Sequence, residues 1–184
     1  NTITSTFGGA TEDQSTMGKD YRVAYSIIAF HGIISAKRAE ITHLSSDDIE
    51  LFDRSMVRCI PLEATSRSKE GQEPLLYIRV EYNRDDYFIG DFRKYIDLAD
   101  ESGKQIPFDK SEKLDRGKYQ IDLTVLAYKL SERKDQISKI HFWKNDDIRL
   151  KGWDVEEEDK KKKLISVNGK QYVELVDINL KKET

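Results

Sequence analysis

The residues best suited to ligand chemistry are four consecutive side chains, Ser66, Arg67, Ser68 and Lys69. They lie in residues 64–74, a stretch of small hydroxyls, two cations, one glycine and a closing proline that is typical of an exposed loop. Hydroxyls and cations on such a loop are groups that contact a nucleic-acid phosphate backbone. The same four residues also fit an ordinary solvated loop, which composition alone favours.

The histidines and the cysteine show no spacing that is typical of a metal or catalytic site. His31, His43 and His141 are the histidines of the chain, and together with Cys59 they lack a pair two to four residues apart, as metal ligands often have. His31 and His141 lie in apolar, strand-like stretches, so we expect hydrogen-bonded structural imidazoles. The pairs Asp85-Asp86 and Asp146-Asp147 fit turns. No catalytic residue, metal or cofactor is therefore predicted.

Composition limits the kinds of partner. The chain has 184 residues, of which 38% are hydrophobic and 35% charged, with a formal charge of −3 and a pI near 5.7. A nucleic-acid-binding protein usually has a basic footprint, so an anionic partner would have to be held by a local patch. Cys59 is expected to be a small buried apolar residue in a reducing cytosol. No apolar run is long enough to cross a bilayer, which predicts a soluble, cytoplasmic protein.

The stretch 16–36 contains the longest apolar run and is predicted to form the central strand, buried on both faces from Ile27 to Ile34. Before it, residues 3–22 are interpreted as two strand arms joined by a flexible, glycine-containing tip at residues 8–16. This central strand would organise the elements that position the loop at 64–74.

The segments on both sides of that loop carry clear periodic patterns. Ser45 and Asp48 indicate a capped helix that Pro61 ends. Its apolar stripe is predicted to consist of Ile49, Phe52, Met56 and Ile60, while Asp48, Glu50, Asp53 and Arg54 face water. The following strand, Leu75 to Tyr82, is expected to pair with the central strand.

The remaining sequence alternates between short strands and one further helix. We predict a strand at 87–90, a helical turn or two at 92–99, and a helix from Asp122 to Lys134. The stripe of this last helix would be Leu123, Leu126, Ala127 and Leu130, and KIHFW would form a strand. The charge block at 156–163 is interpreted as a solvated loop, and Asn168-Gly169 as the turn of a C-terminal hairpin. The fold class is therefore α+β.

A series of segments in order adds a resemblance to a known family. The segments are MGKDYRVAYSIIAFHGIISAKRAE, LSSDDIELFDRSM, TSRSKEGQ, LYIRVEYN, FIGDFRKYI and YQIDLTVLAYKLSERKDQISKIHFW. Together they resemble the Csd/Csh subfamily of the seventh CRISPR-associated protein family, the backbone subunits of type I Cascade in antiviral defence. The resemblance covers about residues 3–144 and favours the type I-B branch over type I-C.

The resemblance implies an RRM-like (ferredoxin-like) palm with a β-hairpin thumb. Residues 3–22 would be the thumb, 23–35 a palm strand and 45–60 a palm helix. The family begins with a palm strand, a finger region and a helix that this sequence lacks, so a partial palm is expected. Residues 1–144 would form the palm and thumb, and 145–184 a charged loop with a C-terminal hairpin extension.

The function that the resemblance implies is RNA binding without chemistry. Ser66, Arg67, Ser68 and Lys69 would hold phosphates of CRISPR RNA, Lys19 would add a phosphate contact, and Phe7 and Met17 would press between bases. Phe7 equally fits a core position. The partners implied are CRISPR RNA, target DNA through the guide, copies of the same subunit and other Cascade subunits, with no membrane.

Two alternatives remain open at the level of sequence. One is a metal-dependent endoribonuclease like related backbone subunits. Such an enzyme requires a histidine or an aspartate aimed at the RNA, and the four residues from Ser66 to Lys69 include neither. The other is an assembly module that contacts protein and no RNA.

Overall fold

The computed structural model describes residues 2–5, 16–19, 25–63, 71–107, 114, 117–158, 162–167 and 170–180. The helices are α1 Ala36–Thr42, α2 Ser46–Leu62 and α3 Thr124–Glu132, with single 3₁₀ turns at Phe92–Tyr95 and Lys134–Gln136. The strands are β1 Thr2–Ser5, β2 Thr16–Lys19, β3 Leu76–Tyr82, β4 Asp97–Asp100, β5 Tyr119–Asp122, β6 Ile137–Lys144, β7 Arg149–Lys151, β8 Asp154–Glu158, β9 Lys162–Val167 and β10 Lys170–Asp177.

The strands form two sheets and a separate hairpin. The larger sheet has the order β3-β6-β10-β9-β8, in which β6 and β10 are parallel and the other neighbours antiparallel. The smaller sheet has the order β4-β5-β7. Strands β1 and β2 pair with each other. The mixture of sheets and helices confirms the α+β fold class and is consistent with an RRM-like palm.

The main core lies around α3 and includes side chains from both sheets. Leu123, Leu126, Leu130 and Ile140 are its largest fully buried side chains, and the rings of Phe142 and Trp153 stack at 5.6 Å. The stripe predicted for α3 is confirmed, because Leu123, Leu126, Ala127 and Leu130 are each 2% exposed or less. The Asp122 carboxylate accepts a hydrogen bond from the Thr124 N–H at 3.0 Å, which stabilises the helix start.

The C-terminal strands belong to the larger sheet. The predicted hairpin is confirmed by the antiparallel pairing of β9 and β10, with Val167 opposite Lys170. The solvated loop predicted at 156–163 is wrong for the described residues, since β8 and β9 pair across this block with Glu157 opposite Lys163. Positions of opposite charge can face each other in an antiparallel pair, so a charge block does not exclude strands.

This C-terminal region is hydrogen-bonded to the sequence that precedes it. Leu175 of β10 is opposite Ile140 of β6, which places both segments in one sheet. The division into 1–144 and 145–184 remains a prediction about domains. Among the described helices, none combines the length and the apolar character that crossing a bilayer requires.

The central strand predicted within residues 23–35 is wrong for the described residues 25–35. This segment has no strand pairing, and Ile28, Phe30 and Ile33 are 64%, 77% and 61% exposed. No described strand hydrogen-bonds to this segment: β3, its expected partner, pairs with β6 on one side and forms the edge of the larger sheet on the other. Tyr25 and Ile27 still pack against the core, and the Tyr25 and Tyr119 hydroxyls are hydrogen-bonded at 2.6 Å.

Helix α2 begins as predicted but presents a different face to the sheet. Ser45 and Asp48 form a reciprocal capping box, in which the Asp48 N–H donates to the Ser45 hydroxyl and the Ser45 N–H donates to the Asp48 carboxylate. The predicted stripe is wrong at two of its four positions, because Phe52 and Met56 are exposed while Asp53 and Val57 are buried. The other two predicted positions, Ile49 and Ile60, are half-buried. The helix meets the sheet through the carboxylate of Asp53.

Cys59 and residues 87–99 also differ from the sequence-based prediction. Cys59 is exposed, because its side of α2 is not covered by described residues. The strand predicted at 87–90 is absent, and the Ile89 N–H donates to the Tyr82 hydroxyl instead of to a neighbouring strand. Only the first part of 92–99 is helical, since β4 begins at Asp97.

Candidate nucleic-acid interface

The hairpin of β1 and β2 lies where the resemblance places the thumb. The pairing is antiparallel, with Thr4 opposite Met17 and Thr2 opposite Lys19. The two strand arms predicted in 3–22 are thus confirmed for the described residues. Met17 and Lys19, two predicted RNA contacts, are two positions apart on β2. Phe7 and residues 8–15 of the tip predicted at 8–16 lie outside the described residues, and Thr16 is the first residue of β2.

The predicted phosphate-binding residues also lie outside the described part of the chain. These are Ser66, Arg67, Ser68 and Lys69. The structure does describe both ends of their segment: the Glu63 N–H donates to the Cys59 carbonyl at the end of α2, and the Asn145 N–H donates to the Leu75 carbonyl beside the start of β3. The segment therefore joins the C-terminal end of α2 to an edge strand of the larger sheet.

A wide, open trough of about 3050 Å³ lies between residues 25–44, α2, β3 and residues 84–96. Its lining includes large apolar side chains that are exposed to solvent: Ile28, Phe30, Ile33, Phe52, Met56 and Phe88. Exposed apolar surface on this scale is typical of an interaction site in a soluble protein. The trough is therefore a candidate surface for contact with a partner.

A polar network ties α2 to the sheet beside this trough. Arg79 of β3 donates to Asp53 through Nε and Nη2, each at 2.7 Å, and the Tyr77 hydroxyl donates to Asp53 Oδ1 at 2.7 Å. On β6, His141 Nδ1 lies 3.8 Å from Asp53 Oδ2, and its Nε2 lies 3.0 Å from Glu81. Asp53 is only 3% exposed. The hydrogen-bonded imidazole expected at His141 is confirmed.

The ionisation of the network follows from its contacts. Burial raises the pKa of Tyr77 above its ordinary range, and the hydrogen bond to Asp53 adds to this effect. Burial lowers the pKa of Arg79, but the hydrogen bonds to Asp53 and the electrostatic attraction of Asp53, Tyr77 and Glu81 together outweigh burial, so the pKa lies above the ordinary value. Tyr77 thus remains a neutral donor, and Arg79 remains a cation that neutralises the buried carboxylate.

This network is not predicted when charged residues of a helix are placed toward water and apolar residues toward the core. Ile49, Asp53 and Val57 recur every four residues, so helical spacing alone places Asp53 on the inward stripe. The charge of an aspartate instead favours the side that faces water. Arg79 also lies on the β3 face opposite to Ile78, which alternation along the strand indicates.

Charged residues on the loop at 84–93 are paired locally. Arg84 donates to Asp86 through Nε and Nη2 at 3.0 and 2.9 Å, and Arg93 makes a similar bidentate pair with Asp91. The hydrogen bond from Arg93 lowers the pKa of Asp91 to about 2. Since Arg84 and Arg93 each have a carboxylate partner, this loop does not supply a strongly basic patch.

The ring of His31 packs edge-on against the ring of Phe92, and the two ring centroids are 6.1 Å apart.

Possible metal ligands do not cluster within the part of the chain that the structure describes. No group of three or more His, Cys, Asp or Glu side chains there is arranged to hold a metal ion. The expectations that the protein lacks a cofactor and is not an enzyme remain predictions.

Comparisons with known proteins assign the family. The family model described as "CRISPR-associated protein Cas7" matches residues 1–125. A protein of Haloferax volcanii, "CRISPR-associated protein Cas7", is 35% identical over 122 residues, which cover 66% of this chain and 34% of the relative. The aligned part thus spans about one third of the length of that relative. The extent of the family match and the level of identity show that this chain belongs to the Cas7 family of CRISPR-associated proteins.

Proposed function

We propose that this Cas7-family chain is a CRISPR RNA-binding backbone subunit of a type I Cascade complex, of the Csd/Csh subfamily and the type I-B branch. The observation that carries the proposal is the β1–β2 hairpin, which is paired in register where the resemblance places an RNA-contacting thumb. The family match includes this hairpin, since it covers residues 1–125.

In the proposed mechanism the protein holds the RNA backbone and leaves the bases free. Arg67, Lys69 and Lys19 contact phosphates, assisted by the hydroxyls of Ser66 and Ser68. Met17, with Phe7, separates neighbouring bases at the thumb. Because no base edge is read, any guide sequence is accepted and remains available to pair with target DNA. No catalytic step and no cofactor are part of this proposal.

Assembly with other proteins is the second part of the proposal. The exposed apolar side chains along the trough supply a surface for copies of the same subunit or for other Cascade subunits. The complex would act in the cytoplasm, where guide RNA meets invading DNA. The same apolar surface also favours the second candidate function, a module that assembles with proteins and does not contact RNA.

A salt titration of RNA binding distinguishes these functions. The protein, expressed from its complete gene, is measured with two RNAs of unrelated sequence between low and physiological salt. We expect similar affinities for both RNAs and a log–log slope of about −0.7 for each phosphate contact. A module without RNA contacts would show no salt-dependent binding. A strong preference for one of the two RNAs would contradict backbone recognition.

A further inference from the structure

We propose that the trough is occupied by a second copy of this chain, and that residues 26–34 of each copy add as a strand to the outer edge of β3 in the other. This inference rests on the assembly part of the proposed function and names the partner. The donor segment and the acceptor strand both belong to the described part of the chain. The pairing requires no RNA.

The acceptor is the outer edge of β3. Among the described strands β3 pairs with β6 alone, so it forms one edge of the larger sheet. The other edge, β8, has the sequence DVEEE, and charged side chains commonly protect a sheet edge from pairing with another chain. The sequence of β3 is LYIRVEY, and the side chain of Arg79 within it is turned onto Asp53. The edge of β3 therefore lacks the protection of β8 and is suited to strand addition.

The donor is the apolar segment 26–34, which has no strand pairing with any described residue. Its sequence is SIIAFHGII, and β-branched and aromatic side chains favour strands. Exposure alternates at its start: Ile27 packs against the core, while Ile28 is 64% exposed. Phe30 is 77% exposed. The segment thus has the composition of a buried strand and presents much of it to solvent.

Contacts near both ends hold this segment in place within its own copy. The Tyr25 hydroxyl is hydrogen-bonded to the Tyr119 hydroxyl at 2.6 Å, and the ring of His31 packs against Phe92. The segment and β3 both line the trough, yet they are not paired with each other. Since the segment does not cover the β3 edge of its own copy, its apolar side chains remain accessible to a second copy.

The charges and the size of the trough favour a polypeptide over nucleic acid. Two arginines along it are neutralised by bidentate pairs, Arg79 with Asp53 and Arg84 with Asp86. A nine-residue strand with its side chains occupies about 1,400 Å³, from the usual rise, strand spacing and sheet separation. The trough of about 3050 Å³ can therefore admit one.

The choice of a second copy follows from the presence of donor and acceptor in one chain. Each copy offers an unpaired apolar segment and an unprotected apolar edge, so two copies can satisfy both at once. Such a contact is isologous and closes at two copies, because each protomer gives and receives the same strand. A different protein would satisfy the edge of β3 but would leave residues 26–34 exposed.

Sedimentation of the purified protein, free of nucleic acid, tests the pairing. We expect the mass to rise with concentration from 21.4 kDa toward twice that value. The double change Ile28→Lys and Phe30→Lys should raise the dimer dissociation constant about a hundredfold or more, because it places unpaired charges in an apolar contact. Both side chains are exposed, so the fold should not change. A wild-type protein that remains monomeric at every concentration would overturn the inference.

The matched control is the double change Ile41→Lys and Leu62→Lys. These two side chains are 78% and 73% exposed and do not line the trough. We expect this variant to dimerise like the wild type. Equal weakening by both double variants would indicate general association of apolar surface and would overturn the assignment to the trough.

Amide hydrogen exchange tests whether the contact is strand addition. Alternate amides of residues 26–34 should exchange at least about tenfold more slowly in the dimer than after dilution to the monomer, because they join a hydrogen-bonded ladder. Unchanged exchange of this segment in a dimer would overturn strand addition. The salt titration of RNA binding is a separate readout: a monomer that binds RNA rejects this inference alone, whereas a dimer that binds no RNA rejects the RNA-binding function alone.

Discussion

Replacing Arg67 and Lys69 together by alanine is expected to reduce the slope of log affinity against log salt by about one to one and a half. Each of the two cations neutralises one phosphate of a single-stranded guide in the proposed mechanism, and each neutralisation releases a bound counterion. Affinity at low salt should fall by about a hundredfold or more, because each of the two charge-assisted contacts contributes about 1.5–3 kcal/mol and about 1.4 kcal/mol corresponds to a factor of ten. Fluorescence anisotropy with labelled RNA measures both quantities.

The matched control for this experiment is the double change Arg133→Ala and Lys134→Ala. It removes the same two charges from an exposed turn after α3, which does not line the trough. The control should shift binding only slightly, through the change in net charge. Identical slopes for wild type and the Arg67/Lys69 variant would show that these side chains do not contact phosphates. Equal effects of both double variants would indicate a non-specific charge effect.

The second large effect is expected in the hydrophobic core around α3. Leu126→Ala is expected to lower the free energy of unfolding by about 2–5 kcal/mol, because the side chain is completely buried and its removal leaves a cavity. Chemical denaturation monitored by tryptophan fluorescence measures this change, since Trp153 belongs to the same core.

A neighbouring residue on the same helix serves as the control for Leu126. Val125 is 46% exposed, so Val125→Ala should change the free energy of unfolding by less than about 1 kcal/mol. A comparable loss from the two substitutions would contradict the assignment of the inward face of α3. A larger loss for Val125→Ala than for Leu126→Ala would show that Val125, and not Leu126, faces the core.

Elements with strong local signals were predictable from the sequence. Helix α3 repeats its apolar residues at a helical spacing, and all four predicted core positions are buried. Asn168-Gly169 tolerates the backbone angles of a tight turn, which predicts the pairing of β9 with β10. The capping box at Ser45 is equally local. In each case the residues that decide the structure are within a few positions of one another.

Features that depend on residues far apart in the sequence could not be predicted from local patterns. The segment 27–34 has the apolar character of a buried strand, but a strand requires a hydrogen-bonded neighbour, and no described strand pairs with this segment. The inward position of Asp53 depends on Arg79, a residue 26 positions away that neutralises its charge. The charged residues of β8 and β9 form strands because they extend an existing sheet, which their composition does not show.

For the candidate site, the sequence predicted the hairpin but not the network beside it. The pairing of β1 with β2 follows from two short β-prone segments around a glycine-containing connection. The residues expected to contact phosphates at 66–69 lie outside the described residues, so their role remains a prediction. The family assignment, in contrast, agrees with the resemblance of several segments in order along the chain.

Photochemical cross-linking tests the central claim, guide binding by the thumb and the α2–β3 segment, most directly. The protein is purified in its assembled complex, irradiated with guide RNA that contains 4-thiouridine, and digested for mass spectrometry. We expect cross-linked peptides from residues 1–24, which contain Met17 and Lys19, and from residues 64–70. Peptides of β8, β9 and β10 serve as the internal control and should carry no RNA. Cross-links confined to those C-terminal strands, with both expected regions unmodified in an RNA-containing complex, would contradict the claim.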